Sequence, residues 1–221
     1  MKVFITGTGT NVGKTFLSAL IMCKYGKKFK LKYSKPIQTG DIESNDKDFV
    51  QKYSALEDTS FHDTIYSFST PVSPHLASEL ESRDIDIEFL KERISSLSSD
   101  TIVEGAGGLM VPIQRNFLTL NLLKDLNLPI ILVGSTELGT INHSLLSIYV
   151  AKTEKLNLKG FYLIGKKEIS SLDNSRVIFE QTNVPYLGST YINEDLFTLE
   201  EFWNYAQNDF DKEEKIRGLL V

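Results

Sequence analysis

The fold of this chain is decided near its start, in the stretch KVFITGTGTNVGKT at residues 2–15. Residues 3–5 are continuously apolar, the pattern of a short strand buried on both faces of a parallel sheet. Small, turn-forming residues follow. Gly13, Lys14 and Thr15 then open a helix whose apolar positions are Phe16, Leu17, Leu20 and Ile21. Strand, glycine-rich loop and helix in this order make a phosphate-binding loop. Backbone N–H groups of the loop and the helix start point at an anion, and the helix dipole adds partial positive charge. Lys14 supplies a full charge for the outer phosphates, and the Thr15 hydroxyl is placed to hold a magnesium ion. The loop departs from the usual Gly-x4-Gly-Lys-Ser/Thr spacing, because Thr8 stands at the first glycine position and five residues separate Gly7 from Gly13. The alternative is a glycine-rich turn that binds nothing; the strand–loop–helix context favours phosphate.

The rest of the composition is that of a soluble globular chain. Its 221 residues suit one α/β domain, residues 1–221, with residues 206–221 read as a frayed surface tail of mixed charge. A single cysteine, Cys23, forms no internal disulfide, fits a reducing cytoplasm, and reads as a small core residue of the first helix. The strand begins at once, which leaves no room for a signal peptide. No apolar run approaches the ~20 residues of a membrane helix. A net charge of −5 argues against non-specific nucleic-acid binding. Lysines 24, 27, 28, 30 and 32 read as a solvated edge.

Further along, residues 31–34 read as a second strand leading into Lys35 and Pro36. A lysine at the carboxyl end of a strand in an open α/β sheet stands where ligands bind. On this segment alone, a surface lysine in a turn fits equally well. Residues 41–48 are polar and acidic and run into Phe49, Val50, Tyr53 and Leu56, the buried face of a short helix. Asp46 and Asp48 can each be a helix cap or reach a metal. His75 follows two prolines in an irregular loop and reads as a structural hydrogen-bonder more readily than a catalyst. Residues 101–112 read as a buried strand ending in Glu104, then a loop rich in glycine. An acidic residue there, beside a phosphate loop, reads as the second magnesium-side group. Strands and helices then alternate, with a helix start near Thr140 or Asn142, so the expected architecture is one doubly wound, mostly parallel sheet with helices on both faces.

Five stretches now stand in order: TGTGTNVGKT at 6–15, KPIQTG at 35–40, PVSPH at 71–75, VEGAGG at 103–108 and LGTINH at 138–143. Together they resemble the dethiobiotin synthetases, from residue 1 to about residue 190. The resemblance implies a P-loop fold and an ATP-dependent reaction of the penultimate step of biotin synthesis. There, 7,8-diaminopelargonate, CO2 and ATP give dethiobiotin, ADP and phosphate through a carbamate and a carbamic–phosphoric anhydride. It implies ATP as co-substrate and Mg2+ as cofactor, held by Thr15, Asp48 and Glu104. Nucleotide contacts fall on Gly9, Thr10, Asn11, Val12, Gly13, Lys14, Thr15 and Phe16, on Glu104, Gly105, Ala106 and Gly107, and on Ile164 and Gly165. Lys35, Lys14 and Thr10 are the implied catalytic groups. Lys35, Thr39, Thr140, Ile141 and Asn142 are the implied substrate contacts, the last three entering from the neighbouring subunit of a cytoplasmic homodimer. No nucleic-acid or membrane partner is implied.

The chain also departs from that family. Asn11 replaces a frequent glutamate, and Ile164-Gly165 stand where an asparagine often reads the purine edge. The rival class is a partitioning-type P-loop ATPase switch. Those switches carry a signature lysine four residues before the second loop glycine, where this chain has Gly9.

Overall fold

The structure, a computed structural model, describes residues 2–41, 45–192 and 198–221. Residues 42–44, part of the acidic stretch at 41–48, lie outside the described residues. Strand β1 (Val3–Gly7) and helix α1 (Lys14–Phe29) form the expected pair around the glycine-rich loop. The chain then runs β2 (Lys32–Ser34), β3 (Ile37–Thr39), α2 (Asp46–Ser54), β4 (Tyr66–Phe68), α3 (Pro74–Leu80) and α4 (Ile87–Ser96). It continues through β5 (Thr101–Gly108), β6 (Pro112–Gln114), β7 (Phe117–Leu118), α5 (Thr119–Leu126), β8 (Ile130–Ser135) and α6 (Thr140–Thr153). Strand β9 (Leu158–Gly165), α7 (Ser171–Thr182), β10 (Tyr186–Tyr191), α8 (Leu199–Asn208) and α9 (Arg217–Leu220) complete it.

Six strands make one parallel sheet in the order β10-β9-β8-β1-β5-β2. The chain leaves β1 toward β2 on one side and returns through β8 to β10 on the other. The order reverses at β1, which opens a crevice at the carboxyl ends of the strands, where α/β sheets bind ligands. Side chains alternate across β1: Val3 and Ile5 pack with Leu17, Leu20 and Ile21 of α1, while Phe4 packs with Val103, Leu90 and Ile94 on the opposite face. Helices α6 and α7 cover the β8–β9 end of the sheet through Ile148 and Ile178. Both faces are therefore sheathed, as the alternating pattern predicts.

Four local expectations are corrected. Strand β5 does not end at Glu104 but runs on to Gly108, because Gly7 of β1 pairs with Gly108 beyond a register shift. An added Cβ at Gly108 would lie 2.9 Å from the Gly7 carbonyl oxygen, so only glycine lets the two backbones come this close. The proline-rich loop yields a helix from Pro74, whose ring suits the first helical position. The tail is not a frayed surface end. Phe210, Ile216 and Leu220 are buried against the α1 side of the core. Asp211 anchors it by accepting the Tyr25 hydroxyl at 2.7 Å and the N–H groups of Ile216 and Arg217 at 3.0 and 2.9 Å. Lys24, taken from sequence as part of a solvated edge, donates to the Phe210 carbonyl.

Cys23 lies half-buried on α1, and burial pushes its thiol up to about 11, the behaviour of a packing residue and not of a nucleophile. Among the described residues, no helix is long and apolar enough to cross a membrane.

Candidate active site

The site grows from the glycine-rich loop. Gly13 caps α1 with φ 95°, a left-handed conformation that glycine adopts freely. An added Cβ there would come 2.7 Å from Ile164 Cγ2. The loop thus rests on the end of β9, and the first turn of α1 is left with free N–H groups, since no side chain caps it. Lys14 reaches back over the loop and donates to the Gly9 carbonyl at 3.0 Å. Burial and the nearby Lys35 ammonium draw the Lys14 pKa down to about 8, against the opposing pull of Glu104 and Asp46. Thr10 and Asn11 at the loop crest are exposed, and Asn11 takes a positive φ of 58°.

Three further elements converge on Thr15. Glu104 comes from the middle of β5, beside Ile5 of β1, and is wholly buried. Lys35 follows β2 and is 4% exposed. Asp46 opens α2. Lys35 Nζ lies 2.6 Å from Asp46 Oδ2 and 2.9 Å from Glu104 Oε1, and it also donates to the Gly105 carbonyl at 3.2 Å. Burial alone would lower the Lys35 pKa, but the two carboxylates outweigh it and hold the ammonium above the usual lysine range. Burial likewise acts to raise Asp46, and Lys35 more than reverses that, so the carboxyl sits below its ordinary value.

Thr15 Oγ1 lies 3.0 Å from Asp46 Oδ1 and 2.7 Å from Glu104 Oε1. A hydroxyl has one proton and can satisfy only one of two carboxylates fully. Thr15 Oγ1, Asp46 Oδ1 and Glu104 Oε1 converge here, and a hydroxyl between two carboxylates is a donor set for a small, hard cation. Among the described residues, no group of three or more His, Cys, Asp or Glu side chains forms a metal cage. Two carboxylates and a hydroxyl suit magnesium nonetheless, because that ion takes few protein ligands and completes its shell with phosphate oxygens and water.

The two aspartates that the sequence left open as metal ligands are placed differently. Asp48 is exposed in the first turn of α2, while Asp46 faces Thr15 and Lys35. Neither aspartate caps the helix. Asn45 does, accepting from the N–H groups of Lys47 and Asp48 at 2.9 and 3.4 Å. Ile164 is buried behind the loop and presents no edge to a base. Thr39 ends β3 and is half-buried. Thr140, Ile141 and Asn142 open α6 beyond β8, where Gly139, at φ 97°, caps the helix without a side-chain hydrogen bond. His75 Nδ1 shares a hydrogen bond with Ser73 Oγ at 3.0 Å. Sequence reasoning missed Ser18 and Tyr33, whose hydroxyls both donate to Glu104. Ser18 sits one helical turn beyond Lys14, a spacing that could have brought it into view. A cavity of about 640 Å3 lies away from this cluster, between α7 and the start of β10, and holds none of the sequence-predicted residues.

Residues 1–197 match the family model described as an AAA domain. An ATP-dependent dethiobiotin synthetase BioD of Leptospira interrogans is 41% identical, with both chains covered in full. The protein of the same name from Clostridium acetobutylicum is 34% identical over 99% of this chain and 98% of its own. The chain belongs to the ATP-dependent dethiobiotin synthetases. Among solved structures, a ParA family ATPase from Chlorobium tepidum superposes with a TM-score of 0.60 at 13% identity, covering 99% of this chain and 97% of its own. The Aquifex aeolicus MinC:MinD complex gives 0.59 at 15%, covering 99% and 95%. At that identity these two structures show the fold alone. The doubly wound P-loop architecture is thus common to both groups, and the sequence relatives separate them.

Proposed function

We propose that this chain closes the cyclic urea of dethiobiotin from 7,8-diaminopelargonate, CO2 and ATP. The observation that carries the reading is the cluster itself: two lysines and two carboxylates around Thr15, at the open end of the sheet. An anionic carbamate must approach an anionic triphosphate, so the site needs converging cations and little water.

The free N–H groups of α1 and the Lys14 ammonium hold the β- and γ-phosphates. Thr15, Asp46 and Glu104 would hold magnesium, which would supply charge neutralisation to the phosphoryl transfer. One substrate amine traps CO2 as a carbamate, and Lys35 is the cation that faces it. A carbamate oxygen attacks the γ-phosphorus while the bond to ADP breaks, with Lys14, Lys35 and Thr10 around the transferring group. The second amine then attacks the carbamoyl carbon. The bond from carbon to the bridging oxygen breaks, phosphate leaves with that oxygen, and the amine gives up its proton as the ring closes. Thr39 binds the reacting end of the substrate, and the start of α6 at Thr140, Ile141 and Asn142 receives its remote carboxylate.

That last role requires a homodimer in which α6 of one subunit completes the site of the other. Leu138 is fully exposed, and Leu146 and Tyr149 on α6 are more than half exposed, an apolar surface next to the helix start that a second copy would cover. Oxygen labelling tests the chemistry. With 18O-labelled bicarbonate, the released phosphate gains one labelled oxygen per turnover; phosphate free of label would rule out attack by the carbamate.

A further inference from the structure

Glu104 is the most enclosed charge in the site, at 0% exposure in the middle of β5. A buried carboxylate is costly unless its lone pairs are satisfied. Here both oxygens are fully engaged, and the donors divide by oxygen. Oε1 accepts from Thr15 at 2.7 Å and from Lys35 at 2.9 Å. Oε2 accepts from Ser18 at 2.7 Å and from Tyr33 at 3.0 Å. The groups of the reaction meet one oxygen, and two hydroxyls outside the reaction hold the other.

We propose that Tyr33 and Ser18 are positioning residues for the metal site, clamping Oε2 of Glu104 so that Oε1 alone is presented beside Thr15 and Asp46. The inference rests on the reading of Glu104 as a magnesium-side group. Both clamps are themselves immobilised. Tyr33 is wholly buried on β2, adjacent to β5, and its ring meets Phe61 edge-on at 6.0 Å. Ser18 is wholly buried one turn beyond Lys14, and its hydroxyl lies 3.0 Å from the Lys14 carbonyl. Its single proton goes to the shorter, charged partner, Glu104. Burial and the Glu104 charge push the Tyr33 phenol well above its ordinary range, so it remains a donor. Deletion of either hydroxyl leaves a lone pair of Oε2 unsatisfied. The carboxylate then gains freedom to rotate, and its two oxygens compete for the cation. Outer partners of this kind are worth about 10–100-fold in metal affinity.

The test is a calorimetric titration of ADP into the intact protein over a series of free Mg2+ concentrations, from chelator upward. Tyr33→Phe is expected to raise the Mg2+ needed for half-maximal tightening of ADP by roughly 10–100-fold, with ADP affinity in chelator unchanged. Ser18→Ala moves it in the same direction and carries the test if Tyr33→Phe does not fold. Glu104→Gln is measured alongside. If Glu104→Gln shifts the Mg2+ dependence and both clamp variants keep the wild-type dependence, Tyr33 and Ser18 only stabilise the fold and the proposal is overturned. If Glu104→Gln leaves it unchanged, the magnesium reading itself fails, and the proposal with it.

Discussion

Lys35 Nζ stands 2.6 Å from Asp46 Oδ2, an ion pair that ties the end of β2 to the first turn of α2. Asp46 turns its other oxygen to Thr15, whereas Asp48, two residues on, is exposed. Asp46→Asn should therefore raise the Mg2+ concentration required for turnover by at least tenfold, in line with loss of a metal-side group. Asp48→Asn should stay within about twofold of wild type. A reversed order in a magnesium titration of activity would return the ligand role to Asp48.

Lys35→Ala should lose about 10²–10³ in turnover, the usual cost of one preorganised donor at developing charge. Its folding should suffer as well. The ammonium is buried between two carboxylates, and its removal leaves them facing one another. The variant should melt below wild type in chelator, and added Mg2+ should narrow the gap. The pH window follows from the signs. Asp46 is held below its ordinary 3.8, so its share of stability is complete above that value and is lost on acidification below it. Lys35 is held above 10.5, so its share is complete below 10.5 and is lost only as alkali passes its raised pKa. Thermal melts from pH 3 to pH 9 in chelator should show the acid limb weakened in Lys35→Ala. An acid limb equal to wild type would mean that the pair contributes nothing.

Base selection should be weak. Ile164 is buried under Gly13, and Gly165, at φ 152°, leaves no room for a side chain, since an added Cβ would meet Thr136 Oγ1 at 2.4 Å. Neither offers a side-chain donor or acceptor to a purine edge, and strong selection requires a polar group that the wrong base leaves unpaired. The ratio of kcat/KM for ATP over GTP or CTP should stay below about a hundredfold. A larger preference would locate base reading in another residue.

The sheet and the glycine-rich loop with Lys14 were legible because they follow from local rules: apolar runs and glycine spacing, whereas the segment around Lys35 left a surface lysine equally open. The site was less legible wherever distant segments meet. Asp46 and Asp48 are both acidic and both near a helix start, and only the fold shows which one the turn of α2 aims at Lys35. Tyr33 and Ser18 look like core residues in sequence, since a hydroxyl's partner lies on another element. The tail failed for a related reason. Its charges are conspicuous, while Phe210, Ile216 and Leu220 are widely spaced and pack only because Asp211 folds the backbone around itself.

The exposed apolar surface at α6 gives a test of the shared site. Leu146→Asp should place a charge at the proposed subunit contact and yield a monomer by sedimentation. That monomer should bind ADP within about threefold of wild type, because the phosphate loop belongs to one chain, and should lose dethiobiotin synthesis. A monomer with full synthesis would mean that each subunit binds its substrate alone.

The central claim is tested most directly by product analysis of the purified protein given ATP, Mg2+, 14C-bicarbonate and 7,8-diaminopelargonate. The account predicts dethiobiotin labelled at the ureido carbon, with one ADP and one phosphate released per ring formed and none without the diamine. ATP turnover that ignores the diamine, with no labelled ring, would contradict it.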